Sequence, residues 1–209
     1  MHKEPGNPEE TEILLQKVQN GDKQALEDLL TRHRGIIRKM VDLRMDNKMR
    51  GRVDASDIVQ EAQLEVANRI QDYLERQPMP FHLWLRKTAY QNLLRIRRQH
   101  VEAGCRSVDN EVGLPDRSSI LLAQQLMGAQ QPEKKLLEQE LIARIRQALG
   151  ELEELDREIL LMRQFEGMDN QEVAKVWDTD PKTVSKRFGR ALLKLRKVLV
   201  SQGLGDSQS

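Results

Sequence analysis

Lys182, Thr183, Lys186, Arg187 and Arg190 lie within nine residues of one another, and no acid occurs from Pro181 to Val200. Cations in the first turns of a helix meet phosphates and guanine edges in the major groove of DNA, and a threonine meets the thymine methyl. A second acid-free stretch, residues 81–100, holds Arg86, Lys87, Arg95, Arg97 and Arg98, with Trp84 among them. Aromatic rings beside cations suit stacking on unpaired bases while the charges hold the backbone. For Phe81 a place in the core is expected instead.

Catalytic chemistry is poorly provided for. Asp57, Glu61 and Glu65 align at four-residue steps, and with Asp54 they are the material for a metal-dependent nuclease. No matching carboxylate or histidine pair occurs on a second helix, as di-metal bundles require. His2, His33, His82 and His100 lack ligand spacing. There is no phosphate-binding glycine loop, nucleophile elbow or Cys/His dyad. The expectation is a chain that is not an enzyme and needs neither cofactor nor metal.

The chain has 209 residues, enough for two small domains. Charged residues make up 32% of it and the net charge is only +1, but the charges are segregated. Residues 151–172 carry eight acids against Arg157 and Arg163, ahead of the basic stretch at 181–200. Unbroken aliphatic runs reach only four residues, Ile120 to Ala123 and Ile159 to Met162, where a membrane span takes roughly twenty. No apolar leader follows Met1, and the single Cys105 suits a reducing compartment, so a cytoplasmic location with no membrane association is expected.

Leu, Gln, Glu, Arg and Lys dominate and no alternating run stands out, which predicts an all-α fold. Ile13, Leu14 and Val18 share a face of a helix over 9–19 that Gly21-Asp22 ends. Ala25, Leu26, Leu29 and Leu30 mark a second helix, and Ile36, Ile37, Met40 and Val41 a third stripe. Residues 44–53 read as a loop. Asp54 caps a helix whose ridge is Ile58, Ala62, Val66 and Ile70, and which Pro78 and Pro80 stop. The next helix runs from about Phe81 to His100, with Phe81, Leu85, Ala89, Leu93 and Ile96 inward and Trp84, Thr88, Gln91, Arg95 and Arg98 outward. Three segments follow: a domain over 9–100, a linker over 101–133, and a second domain over 134–200. Within the linker, residues 119–127 can form a short helix that either packs on a neighbouring domain or docks into a partner. Leu136, Leu137, Leu141, Ile145, Leu149 and Leu152 describe a long helix in the second domain, and another ends near Gly167.

Residues 169–190 spell a helix-turn-helix. Asp169 and Glu172 form a capping box. Val173, Ala174 and Trp177 supply an inner face, with Ala174 small where helices cross. Asp178-Thr179-Asp180 turns the chain, and Asp180 with Pro181 starts the next helix. That helix sets Val184, Phe188, Ala191, Leu192 and Leu195 against the five polar residues named first. A charged face is usually only solvated; the short turn and the absence of acid favour DNA.

With Asp57-Ile58-Val59-Gln60-Glu61, Phe81-His82-Leu83-Trp84-Leu85, Leu155-Asp156-Arg157-Glu158 and Glu172-Val173-Ala174 in this order, the chain resembles the small two-domain extracytoplasmic-function (ECF) sigma factors of the sigma-70 family. The resemblance covers about Glu9 to Leu199. It implies that the first domain is sigma domain two, with Asp57, Gln60 and Glu61 binding polymerase and Trp84, Lys87, Thr88, Gln91, Arg95 and Arg98 engaging the minus-ten element. It implies that the second is domain four, with Lys182, Thr183, Lys186, Arg187 and Arg190 reading the minus-thirty-five element. The implied partners are the RNA polymerase core (β′ clamp and β flap), promoter DNA, and an anti-sigma factor or other regulator. Trp177-Asp178 stands where the family often has Leu-Gly, and Tyr90, Gln91 and Arg95 where it often has Arg, Asn and Asp. A stand-alone helix-turn-helix regulator that does not bind polymerase is the alternative.

Overall fold

A computed structural model describes residues 8–45, 47–101, 122, 126 and 135–203, and every regular element among them is a helix. The chain divides into two compact units, one of Met1–Asp42 and Met49–Arg106, the other of Leu43–Lys48 and Ser107–Ser209. Leu122 and Leu126 are helical. The rest of the linker and of its short helix lies outside the described residues. No described helix is long and apolar enough to cross a membrane.

The first five helices are α1 (Pro8–Gln19), α2 (Lys23–Arg44), α3 (Asn47–Arg50), α4 (Ala55–Arg76) and α5 (Phe81–Val101). The Asp22 carboxylate accepts the Ala25 N–H at 3.1 Å and starts α2. The apolar sets expected to mark two helices at 25–30 and 36–41 are successive turns of this one helix. Gly35 lies inside it with open space where a Cβ would stand; a mid-helix glycine costs roughly 1 kcal/mol in propensity and does not by itself break a helix. The loop expected over 44–53 contains the one-turn α3.

Asp54 caps α4 by accepting the Ser56 N–H at 2.6 Å. The helix ends at Gln77, left-handed with φ of 38°, whose N–H returns to the Tyr73 carbonyl at 2.8 Å. Ile58, Ala62, Val66 and Ile70 are all buried, and α5 packs along α4. Phe81, Leu85, Ala89, Leu93 and Ile96 are buried as expected. At the start of α5, Phe81 lies 5.3 Å from the Tyr73 ring and 5.2 Å from the His33 ring, both edge-on, and the Tyr73 hydroxyl donates to the Met79 carbonyl.

The second unit contains α6 (Lys135–Glu151), α7 (Glu154–Leu160), α8 (Asn170–Trp177) and α9 (Pro181–Ser201). The chain beyond α7 does not stay α-helical as far as Gly167. Residues 161–165 form a π turn, which buries Leu161, Met162 and Phe165 together. Gly167, at φ of +79°, then turns the chain towards α8. Val184, Ala191, Leu195 and Leu199 form the fully buried spine of α9, which packs on α6, α7 and α8. Within this unit the Arg44 guanidinium grips Glu158 through two nitrogens, at 2.9 and 2.7 Å, and reaches Glu166 at 2.5 Å. Burial opposes its charge, but the two carboxylates outweigh that and hold its pKa above the usual arginine value.

Candidate nucleic-acid interface

The helix-turn-helix is built by local chemistry. Asp169 accepts the Glu172 N–H, and Glu172 accepts the Asp169 N–H, both at 2.8 Å, so the capping box closes on itself. Val173, Ala174 and Val176 are buried, while Trp177, expected inward, is only half-buried. Asp178 takes the left-handed conformation, φ 52° and ψ 53°, that a glycine would enter more easily, and its N–H and that of Thr179 return to the Ala174 carbonyl. Asp180 caps α9 by accepting the Thr183 N–H at 2.9 Å and its hydroxyl at 2.5 Å. These two bonds, the hydroxyl first, hold its carboxyl below the ordinary range.

On α9, Lys182, Thr183, Lys186 and Arg190 are exposed. Lys182, Lys186 and Arg190 recur at four-residue steps and form no ion pair with the described residues, so they stand as a free cationic stripe. Arg187 differs: it is half-buried, with Nη1 at 3.7 Å from Asp156 Oδ1. Phe188, expected in the core, is also half-buried, and the Arg163 guanidinium lies 5.2 Å from its ring centre.

On α5 the outward face is smaller than expected. Trp84 and Thr88 are buried, 7% and 2% exposed, which overturns their placement beside the arginines. Trp84 packs at 4.8 Å on Tyr73 and 5.9 Å on Phe81. The reason is that α5 is enclosed on several sides rather than along one stripe: Leu83, Arg86 and Asn92 are buried too. Gln91, Arg95 and Arg98 are exposed, and Lys87 is half-buried. Arg95 donates to Asn92 at 2.7 Å and lies 3.6 Å from Glu61, while Gln91 accepts from Arg69 at 3.5 Å.

Asp57, Gln60 and Glu61 are exposed together on α4, and beside them Leu64 is 65% exposed, a residue that sequence reasoning passed over. The nuclease alternative finds no support in these carboxylates. Asp54 is engaged as a cap, Glu65 lies 3.9 Å from Arg69, and no group of three His, Cys, Asp or Glu side chains that could hold a metal occurs among the described residues.

Residues 142–195, from α6 into α9, match the family model for sigma-70, region 4. Over 192 residues the chain is 27% identical to the RNA polymerase sigma-H factor of Pseudomonas aeruginosa, covering 91% of this chain and 94% of that one. Residues 142–195 thus carry a sigma-70 region 4, and over almost its whole length the chain is similar to ECF sigma factors of the sigma-70 family. The chain is also 24% identical to the ECF RNA polymerase sigma-E factor of Escherichia coli K12, over 86% of its own length and 89% of the relative's. Its fold is similar to that of CnrH, solved in complex with the cytosolic domain of CnrY, at 21% identity and a TM-score of 0.58 over 92% of this chain and 98% of that one. The similarity to whole sigma factors does not favour the stand-alone regulator, which accounts for residues 134–200 alone.

Proposed function

We propose that this sigma factor divides promoter recognition between its two units. Residues 134–200 act as domain four, with Lys182, Lys186 and Arg190 on the duplex at the minus-thirty-five element. The Thr183 hydroxyl is engaged by Asp180, so its methyl is what it offers a base. Residues 9–100 act as domain two, joined to domain four by the linker over 101–133. Lys87, Gln91, Arg95 and Arg98 face the minus-ten element, and Trp84 and Thr88 support that face from behind. Asp57, Gln60 and Glu61 take basic groups of the polymerase β′ clamp. Leu64 adds an apolar contact, since carboxylates around an exposed leucine suit a protein surface and repel DNA. The β flap meets domain four, and the molecule works in the cytoplasm without catalysing a reaction.

The observation that carries this reading is the free cationic stripe on a helix fixed at its start by Asp180 and Pro181. A regulator that covers these faces is a candidate partner, by analogy with the complex of CnrH with the cytosolic domain of CnrY. Transcription of genomic DNA by purified core polymerase, with and without the protein, tests the reading: new start sites that depend on the protein are expected, and an unchanged start-site profile overturns it.

A further inference from the structure

Asp156 stands in the first turn of α7 with its side chain only 6% exposed, yet it faces two cations of α9. The Lys194 ammonium donates to Oδ2 at 2.5 Å, and the Arg187 guanidinium lies 3.7 Å from Oδ1. Arg187 and Lys194 are seven residues apart, two turns of the same helix face. Lys194 also reaches Glu153 at 3.4 Å, and its hydrogen bond to Asp156 is the main cause of a raised pKa. Beside this edge run Lys182, Lys186 and Arg190, which no carboxylate among the described residues holds.

We infer that Asp156 is a positioning residue of the DNA-reading helix: it withdraws Arg187 and Lys194 from phosphate and leaves Lys182, Lys186 and Arg190 as the reading set. This rests on the assignment of α9 to promoter DNA. A buried carboxylate holds its cations far more firmly than an exposed one, because solvent and salt screen it less. Phosphate binding is indifferent to sequence, so each cation kept from the backbone lowers affinity for promoter and non-promoter DNA alike and leaves discrimination to the base-reading set. The clasp also fixes the rotation of α9 about its own axis, and with it the direction of the free stripe.

The test is the slope of log affinity against log salt for the full chain on a labelled mixed-sequence duplex, with thermal melting as the control for folding. Each phosphate neutralised contributes about 0.9 to that slope. Arg187→Ala alone is expected to leave the slope unchanged. Asp156→Asn should steepen it by about one to two as both cations are released, Asp156→Glu should keep the wild-type slope, and Asp156→Asn with Arg187→Ala should give back about one. Lys186→Ala is the internal standard and should lower the slope by about one. If Arg187→Ala lowers it equally, or a folded Asp156→Asn protein leaves it unchanged, the clasp is overturned while the DNA assignment stands. If Lys186→Ala also does nothing, α9 does not meet phosphate and the DNA assignment falls. Should Asp156→Asn fail to fold, Arg187→Ala and Lys194→Ala decide alone: a slope lowered by either overturns the clasp, and two unchanged slopes uphold it.

Discussion

The two basic helices look alike in sequence and differ in what they do with their charge. In α5 one cation is drawn into the fold and another is paired at the surface: Arg86 is buried and sits over Tyr90, and Arg95, exposed, is shared between Asn92 and Glu61. In α9, Asp156 holds Arg187 and Lys194, while Lys182, Lys186 and Arg190 pair with no carboxylate among the described residues. A run of cations without acids therefore predicts a helix near nucleic acid far better than it predicts which cations touch it. The α5 face is built chiefly by packing, the α9 face by capping and by selective pairing.

The largest effect expected from this contrast is on stability. Trp84→Ala should cost about 3–5 kcal/mol of the first unit's stability, as large-to-small changes in a core do, and lower promoter opening through loss of fold. A Trp84→Ala protein that melts like the wild type but fails to open promoters would place the ring at the DNA after all. Acid should separate the units next. Burial first, then His82 and Arg32, hold the pKa of His33 down to about 4, whereas an unfolded histidine titrates near 6.5. The unfolded chain thus takes up the proton first as pH falls. The stabilisation is complete above about 6.5 and is lost between there and about 4, on the order of 3 kcal/mol. All four histidines precede residue 101. Hydrogen exchange followed by residue from pH 7 to 5 should therefore show the first unit loosening before the second; the reverse order breaks the comparison.

Effects on binding are smaller. Arg190→Ala should weaken promoter binding, lower the salt slope by about one, and leave stability within about 0.5 kcal/mol of wild type. A large loss of stability would mean that the stripe is not free. The slightest change is expected at the Glu61–Arg95 pair, where both side chains are about half exposed and such pairs contribute about 0–1 kcal/mol. Glu61→Gln frees Arg95 and should raise affinity for single-stranded DNA by less than about fivefold. A tenfold rise, or a fall, would show that the α5 cations are held by more than surface pairing.

The chain's own order of residues settles where its helices begin and stop, since those signals act over three or four positions: Asp54 on Ser56, Asp169 with Glu172, Asp180 on Thr183, and Pro78 and Pro80 after Gln77. It also settles the ridge Ile58, Ala62, Val66 and Ile70, because a four-residue period survives any tertiary arrangement with one buried face. Which cation meets which distant carboxylate was decided by tertiary structure. Lys194 and Asp156 are 38 residues apart, and Arg44 and Glu158 are 114 apart, distances over which no local pattern carries information. Trp84 went inward because partners close in on α5 from more than one side, which the periodicity of α5 alone does not encode. Coulomb attraction and desolvation depend on separation and burial in space, and folding alone brings those carboxylates to those cations.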